Sequence, residues 1–377
     1  DDGIVAFFKS NGELVNFLTV GALPDFLTFT ADGSKLLVAN EGEANAEYTI
    51  DPEGSVGIID MSNGVGHLEE SDITFAGFEA FNDQKQDLID QGVRIFGPSS
   101  TEPDGIATVA QDFEPESIAV SGDGTKAYVA LQENNALAIL DLINGEFTDI
   151  IALGFKDHSL VNNDFGSSNA LDASDRDGGI NIDNYPIFGM FQPDEIVSYE
   201  VGGKTYLVTA NEGSGRDEDG FSEEVRVEDL TLDEEAFGGA DAVAELQKEE
   251  NLGRLIVTNT MGDTDGDGDF DELYTFGGRS FSIWDEYGRL VFDSGDEFEQ
   301  ITAELFPDFF NSNNDENNFD NRSDNKGPEP EGVAIGQMGD RTLAFIGLER
   351  IGGFMTYDVS NPLAPKFMRK ASPLAPL

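Results

Sequence analysis

Short apolar runs, each closed by a glycine-containing turn, recur along this chain. Ile4-Val5-Ala6-Phe7-Phe8 and Leu14-Val15-Asn16-Phe17-Leu18 flank Ser10-Asn11-Gly12. Phe26 to Thr30 and Lys35 to Ala39 flank Asp32-Gly33, and Val56 to Asp60 follows. The cadence returns at Ser117 to Val120, Ala127 to Leu131 and Ala136 to Leu140, then at Ile196 to Tyr199 and Thr205 to Thr209. Its last instance is Val333 to Ile335, Thr342 to Ile346 and Phe354 to Val359. Strand-length runs joined by such turns predict antiparallel hairpins. Repeated four-stranded units of about 40–50 residues predict an all-β fold, a β-propeller. The 377 residues leave room for seven blades, or six, in one domain spanning 1–377. Residues 3–20 read as the outer half of a blade, which the C-terminal segment would close.

Four stretches break the cadence and predict long acidic loop insertions with a few short helices. Residues 76–112 carry a helix near Asn82–Gln91, and residues 155–192 are rich in Asp, Asn and Gly. Residues 214–252 carry a polar helix over Ala242–Glu250, and residues 297–328 one near Phe298–Phe306 followed by an Asn/Asp-rich run. Loops of this length inside a compact domain are usually functional or ordered by metal.

The repeats also place acids at fixed points. Pro-acid pairs open four copies, at Pro24-Asp25, Pro115-Glu116, Pro193-Asp194 and Pro330-Glu331. Glu41, Glu133, Glu212 and Glu349 close them, 16, 17, 18 and 18 residues after the opening acid. A hairpin returns to the edge it left, so each pair shares one edge of its sheet. Copies arranged about an axis would bring about eight carboxylates to one face, where they repel unless cations neutralise them. The competing reading of the same spacing is turn chemistry, with each Glu bonding nearby backbone amides.

Composition narrows the chemistry. Asp and Glu number 75 against 21 Lys and Arg, a net charge of −54. Nucleic acid and anionic membrane are therefore poor partners. Apolar residues make up 39% of the chain, enough for a core. The absence of Cys excludes disulfides and thiol chemistry, and two His exclude a multi-His zinc enzyme. Oxygen ligands favour Ca²⁺, or Mg²⁺, over softer metals. No apolar stretch is long enough to span a bilayer. The start lacks an initiator Met, so the chain reads as a mature or trimmed one, with any export signal or anchor elsewhere.

The most specific local motif runs Asp263-Thr264-Asp265-Gly266-Asp267-Gly268-Asp269-Phe270-Asp271. It follows a D-x-D-x-D-G calcium loop, in which alternate acids turn oxygens inward and position 7 ligates through its carbonyl. Tyr274 occupies position 12, where an EF-hand has Glu, although Glu272 is close by. The loop should therefore pin an insertion rather than do chemistry. Among the scarce basic groups, Lys156, His158, Arg176, Arg216, Arg279 and Arg350 lie in loops near the repeated acids. Such groups could help an anionic ligand overcome carboxylate repulsion. Pairing with a neighbouring acid is the simpler role.

Several long segments resemble the choice-of-anchor I domain family over nearly the whole chain. They are Leu36-Leu37-Val38-Ala39-Asn40-Glu41-Gly42-Glu43, Leu131 to Ala136, Asp172 to Gly179, Gly327 to Gly332 and Phe345 to Arg350. The resemblance implies an extracellular, propeller-like protein. It covers both atypical alkaline phosphatases and animal mesenchyme-specific cell-surface glycoproteins. A fainter likeness is to β-propeller phytases, which bind several Ca²⁺ on an acidic face. Together these lead to the expectation of a secreted, calcium-dependent phosphoric ester hydrolase. In it Asp25, Glu41, Glu116, Asp194, Glu212, Glu331 and Glu349 hold Ca²⁺ at a phosphate-ester site. Arg176, Arg216 or Arg350 steady the charge, and His158 and Lys156 are counted with them as catalytic groups. The rival expectation is a non-catalytic, calcium-stiffened module for cell-surface or matrix association.

Overall fold

A computed structural model describes residues 2–368. Four four-stranded antiparallel sheets dominate it. The first comprises Pro24–Phe29, Lys35–Asn40, Ser55–Asp60 and Ile73–Gly77. The second is Pro115–Val120, Lys126–Leu131, Ala136–Asp141 and Glu146–Ala152. The third is Ile196–Val201, Lys204–Asn211, Ser280–Asp285 and Leu290–Asp293. The fourth is Pro330–Met338, Arg341–Leu348, Phe354–Asp358 and Lys366–Phe367. The opening strands of successive blades pack against one another, first on second, second on third, third on fourth. This is the all-β, propeller-type arrangement that the repeated hairpins predict.

Apolar faces hold the blades together. Leu37, Ala39 and Val56 of the first blade meet Ile118, Val129 and Ala138 of the second. Tyr128, Ala130 and Ile139 then meet Ile196, Leu207 and Trp284 of the third. Phe281 and Ile283 in turn meet Val333, Ala344 and Tyr357 of the fourth. Trp284 lies edge-on to Phe191 at 5.2 Å, and its indole N–H donates to Thr209 at 2.9 Å. Face-to-face sheet packing of this kind buries both sides of the second strand in each blade, which is why those strands read as unbroken apolar runs.

The expected count of seven blades, or six, is not met: four such sheets occur among the described residues. Chain that the count assigned to further blades goes instead into the insertions. A fifth, mixed sheet takes the order Phe155–Asp157, Phe188–Met190, Tyr274–Thr275, Ile256–Thr258 and Glu224–Arg226, with a parallel pair at Phe188–Met190 and Tyr274–Thr275. It has its own core of Leu171, Val227, Leu252, Leu255 and Leu273. Strands Asp2–Phe8 and Leu14–Ala22 form a separate hairpin whose Val5, Leu18 and Val20 pack on Leu36, Val38 and Ile59 of the first blade. Among the described residues the last strand, Lys366–Phe367, pairs with Phe354–Asp358 of its own blade and not with that hairpin; the chain after residue 368 lies outside the described residues. Helices Lys85–Asp90, Ala240–Leu246 and Glu297–Leu305 fall where the insertions predict them. Among the described residues no helix is long and apolar enough to cross a membrane.

A buried ionic knot ties the third blade's loop to the approach to the second. Arg216 donates to Asp112 at 2.8 Å and to Glu114 at 2.7 Å. Arg94 is paired with Glu223, and the Arg94 and Arg216 guanidinium groups lie 4.1 and 4.6 Å from the Phe96 ring centre. Removing one partner of a buried pair strands the other charge. Arg216→Met should therefore cost about 3–5 kcal/mol in denaturant unfolding, far more than the exposed Lys9→Met, which breaks the Lys9–Glu13 surface pair.

Candidate metal centre at the acidic mouth

Hairpin register brings each opening acid beside its closing acid. Pro24 lies opposite Asn40, Pro115 opposite Leu131 and Pro330 opposite Leu348, and the closing acid follows within two residues. In each case the pairing shifts register just after the Pro. Proline has no N–H to give to a ladder, so it suits such a strand start. Asp194 reaches the same place by another route, its N–H donating to Ala210.

The structure brings the repeated acids into one electrostatic neighbourhood. Burial pushes the Glu41 carboxyl up to about 8, and Glu133, Glu43 and Asp25 add repulsion. Burial likewise carries Asp194 to about 8, with Glu212, Glu331 and Asp25 adding to it. Glu116 is raised well above the carboxylate range by burial, then by Glu133, Glu41 and Asp194. Burial also raises Asp25, Glu331 and Glu349.

The cluster has two unlike halves. On one side Glu212, Glu329 and Glu349 bring carboxylate oxygens within 4.8 Å of one another. Basic side chains hold them there. Lys326 binds Glu212 at 2.8 Å, while Arg350 binds Glu329 at 3.1 Å and Glu349 at 2.9 Å. Burial pushes the Glu329 carboxyl up, but Lys326, Arg322 and Arg350 outweigh it and hold the group below its usual value. The other side has Glu41, Glu116, Glu133, Asp25 and Asp194, none of which forms an ion pair among the described residues. Glu133 is 7% exposed, and its buried Oε2 has no hydrogen-bond partner. A buried acceptor without a donor carries its full desolvation cost. Among the described residues of the mouth, the oxygens spaced closely enough to share a hard divalent cation are those of Glu212, Glu329 and Glu349.

Neighbouring residues fix these acids without themselves facing an ion. Asn40 accepts from the Gly21 N–H at 3.0 Å, and Asn211 donates to Ser282 at 2.8 Å and accepts from Thr209. The asparagines of the two Asn-Glu-Gly segments are thus internal ties. Gly213 has φ +96°, and a Cβ there would lie 2.3 Å from the Gly277 nitrogen. That glycine admits a neighbouring backbone.

The basic candidates divide sharply. Arg350 stands at the mouth. Arg216 is buried and committed to Asp112 and Glu114, although its charge reaches Glu41. Arg176 has a side chain 55% exposed, lies 3.5 Å from Asp175 and is not drawn to the mouth acids. Lys156 is buried, bonded to the carbonyls of Gly278 and Gly295 and to Asp293. His158 is buried with Nδ1 2.6 Å from the Asn169 carbonyl, and burial followed by Lys156 holds the ring neutral. Arg279 is enclosed by Glu299 and by the carbonyls of Asp172, Ser323 and Asn325. Apart from Arg350 and the exposed Arg176, these cations serve internal neutralisation. Glu329 and Lys326 belong to the mouth, yet sequence reading missed them as ligand and counter-charge. The Pro-acid pair at Pro328-Glu329 was the one available signal.

The acidic loop forms as its motif predicts, with a change of grouping. Asp263, Asp265 and Asp267 place oxygens within 4.8 Å of one another, whereas Asp269 and Asp271 group with Asp233. Asp263 accepts from the N–H groups of Gly266 and Gly268 at 2.7 and 3.0 Å. Asp271 accepts from Thr264. Glu272 accepts a hydrogen bond from the Tyr274 hydroxyl. Asp233 arrives through the Leu232–Phe270 bridge, a contact the loop sequence does not contain.

Fold and mouth have a family context. The chain matches the choice-of-anchor I domain over residues 1–362 and belongs to that family. It is 30% identical over 293 residues to the mesenchyme-specific cell surface glycoprotein of Strongylocentrotus purpuratus, covering 68% of this chain and 36% of that protein. It is 35% identical over 125 residues to gigasin-3a of Magallana gigas, covering 32% of this chain and 44% of that protein. The chain thus spans less than half the length of these relatives. Among solved structures it is similar to the β-propeller domain of Cps50 (Swd1) from Myceliophteria thermophila, with a TM-score of 0.30 and 8% identity over 97% of this chain and 74% of that one.

The raised carboxyls set a pH dependence. Glu41 and Asp194 move from 4.5 and 3.8 to about 8 on folding. Between those values the folded chain holds more protons than the unfolded one, so stability falls as pH rises through the window. In chelator, the melting temperature should drop by several degrees from about pH 5 to about pH 8.5. Glu41→Gln, melted across the same range, should show a shallower fall.

Proposed function

We propose that this chain is an extracellular or cell-surface propeller whose acidic mouth takes Ca²⁺ and presents it to an anionic ligand. The observation that carries the reading is the buried, partnerless Glu133 Oε2 among Glu41 and Glu116. Glu41, Glu116 and Glu133 would hold the ion, with Asp25 and Asp194 at its margin. The ion would draw together carboxylates that otherwise repel. The Asp263–Asp271 loop with Asp233 would take a further Ca²⁺ that stiffens the large insertion. Family membership and the cell-surface glycoprotein relative support the location. Surface or matrix association is the role that best suits a mouth whose basic groups are nearly all internally engaged.

A second reading, a calcium-dependent phosphomonoesterase of alkaline phosphatase or phytase type, is favoured by one feature. Arg350 and Lys326 flank the mouth carboxylates, and both could reach an anion bound beside them. A bound divalent ion would supply charge for phosphate and lower the pKa of water. This chain's own part would be to orient the phosphate oxygens through Arg350 and Lys326.

Thermal melts with Ca²⁺ titrated into chelator-treated protein test the first reading. Ca²⁺ should raise the melting temperature, more at about pH 8 than at about pH 5, because ligands must lose protons to bind. Glu133→Gln should weaken the apparent Ca²⁺ affinity about ten-fold. An unchanged titration in that variant overturns the mouth assignment. A chromogenic phosphomonoester assayed in parallel separates the two readings: turnover that is Ca²⁺-dependent and lost in Arg350→Ala supports the second.

A further inference from the structure

A cavity of about 410 Å³ opens beside the mouth, and nothing in the cation reading uses it. Its volume falls within the roughly 300–1,000 Å³ usual for small-molecule sites. Its walls come from the end of strand Leu14–Ala22, the loop after the first blade's second strand, and the hairpin Asp217–Glu218 with Phe221–Ser222. We propose that this cavity is a binding site for a small primary alkylammonium ion.

The walls are mostly apolar, from Leu23, Ala44, Ile50 and Pro52, and two carboxylates, Glu43 and Glu218, face into the same space. Leu23 and Ile50 are 47% and 63% exposed. Burial, then Glu133 and Glu218, raise the Glu43 carboxyl above its usual value. Among the described residues neither side chain has a hydrogen-bond or ion-pair partner. A ligand that satisfies both features needs a positive charge and an apolar body.

The form of the cation follows from the lining. Calcium wants six to eight oxygens, and this cavity offers few beyond the two carboxylates. Quaternary ammonium sites are built from aromatic faces, and no aromatic side chain lines this one. A primary ammonium can donate to both carboxylates while its methylenes lie along Leu23 and Ile50.

The site is also held in shape. Asn45 accepts from the N–H groups of Thr49 and Ile50 at 2.8 and 2.7 Å, closing the loop on itself. Gly220 donates to the Ala46 carbonyl at 2.7 Å, and Tyr48 meets Phe221 edge-on at 5.7 Å, which docks the hairpin on the loop. A preformed wall of this kind lowers the ordering cost of binding.

Calorimetric titration of the Ca²⁺-replete chain with n-butylammonium, at fixed ionic strength, tests the inference, with tetramethylammonium as the control ion. Saturable binding of n-butylammonium is expected, with tetramethylammonium roughly ten-fold weaker. Glu218→Gln should weaken n-butylammonium roughly three- to ten-fold while leaving the Ca²⁺-dependent melt unchanged. Ile50→Ser, which removes apolar wall and leaves both carboxylates, should weaken it as well. Equal responses to the two ammonium ions would mean simple screening of a chain of net charge −54, and would overturn the site. Unchanged affinity in both variants would do the same. Because Ca²⁺ is present throughout, failure here leaves the mouth reading standing, and failure of the mouth reading leaves this one standing.

Discussion

Repulsion between carboxylates that the fold forces together is the constraint on which the rest of this structure depends. Four hairpins return to the edge they left, so acids far apart in sequence must share one small, partly dry space. The molecule meets this demand in two ways. Around Glu212, Glu329 and Glu349 it spends Lys326, Arg322 and Arg350 as internal counter-ions. Around Glu41, Glu116 and Glu133 it provides no such partner, and burial holds the Glu41 and Glu116 carboxyls above their ordinary range.

The same scarcity explains why so few basic residues remain for chemistry. With 21 Lys and Arg against 75 acids, Arg94, Lys156, Arg216 and Arg279 are drawn into buried pairs before any ligand arrives. Arg216, Lys156 and Arg279 are each surrounded by carboxylates and carbonyls that a guanidinium or ammonium group satisfies better than solvent could. Sequence position near an acidic motif is therefore weak evidence that a basic residue faces outward.

Features encoded by local periodicity were legible in the chain. The inner hairpins of all four blades, the Pro-acid pairs and the acidic turn are short-range patterns that the structure forms, whereas the outer strands Ile73–Gly77, Glu146–Ala152, Leu290–Asp293 and Lys366–Phe367, and the third blade's Ser280–Asp285, were not read from the sequence. Features created by distant segments were not. Asp233 joins the acidic loop from outside it, Glu329 joins the mouth through a residue just before the repeat, and the mixed sheet draws on strands from 155 to 275. Four four-stranded sheets occur among the described residues, and dividing length by a repeat assumes that insertions are loops, whereas here one insertion folds its own sheet and core. The orphaned oxygen of Glu133 has no counterpart in sequence, because spacing does not say which acid lacks a donor.

The third blade carries a kinetic consequence. Its two middle strands, Lys204–Asn211 and Ser280–Asp285, are direct neighbours, yet residues 212–279 lie between them, against 132–135 at the same point in the second blade. Treated as flexible chain, that detour raises the entropy of closure by about 2–3 kcal/mol. Ordering the detour first shortens it, and the inserted sheet and acidic loop are the parts able to do so. Maturation of this blade thus waits on a satellite unit, which gives the folding pathway a sequence of events that the finished architecture does not display.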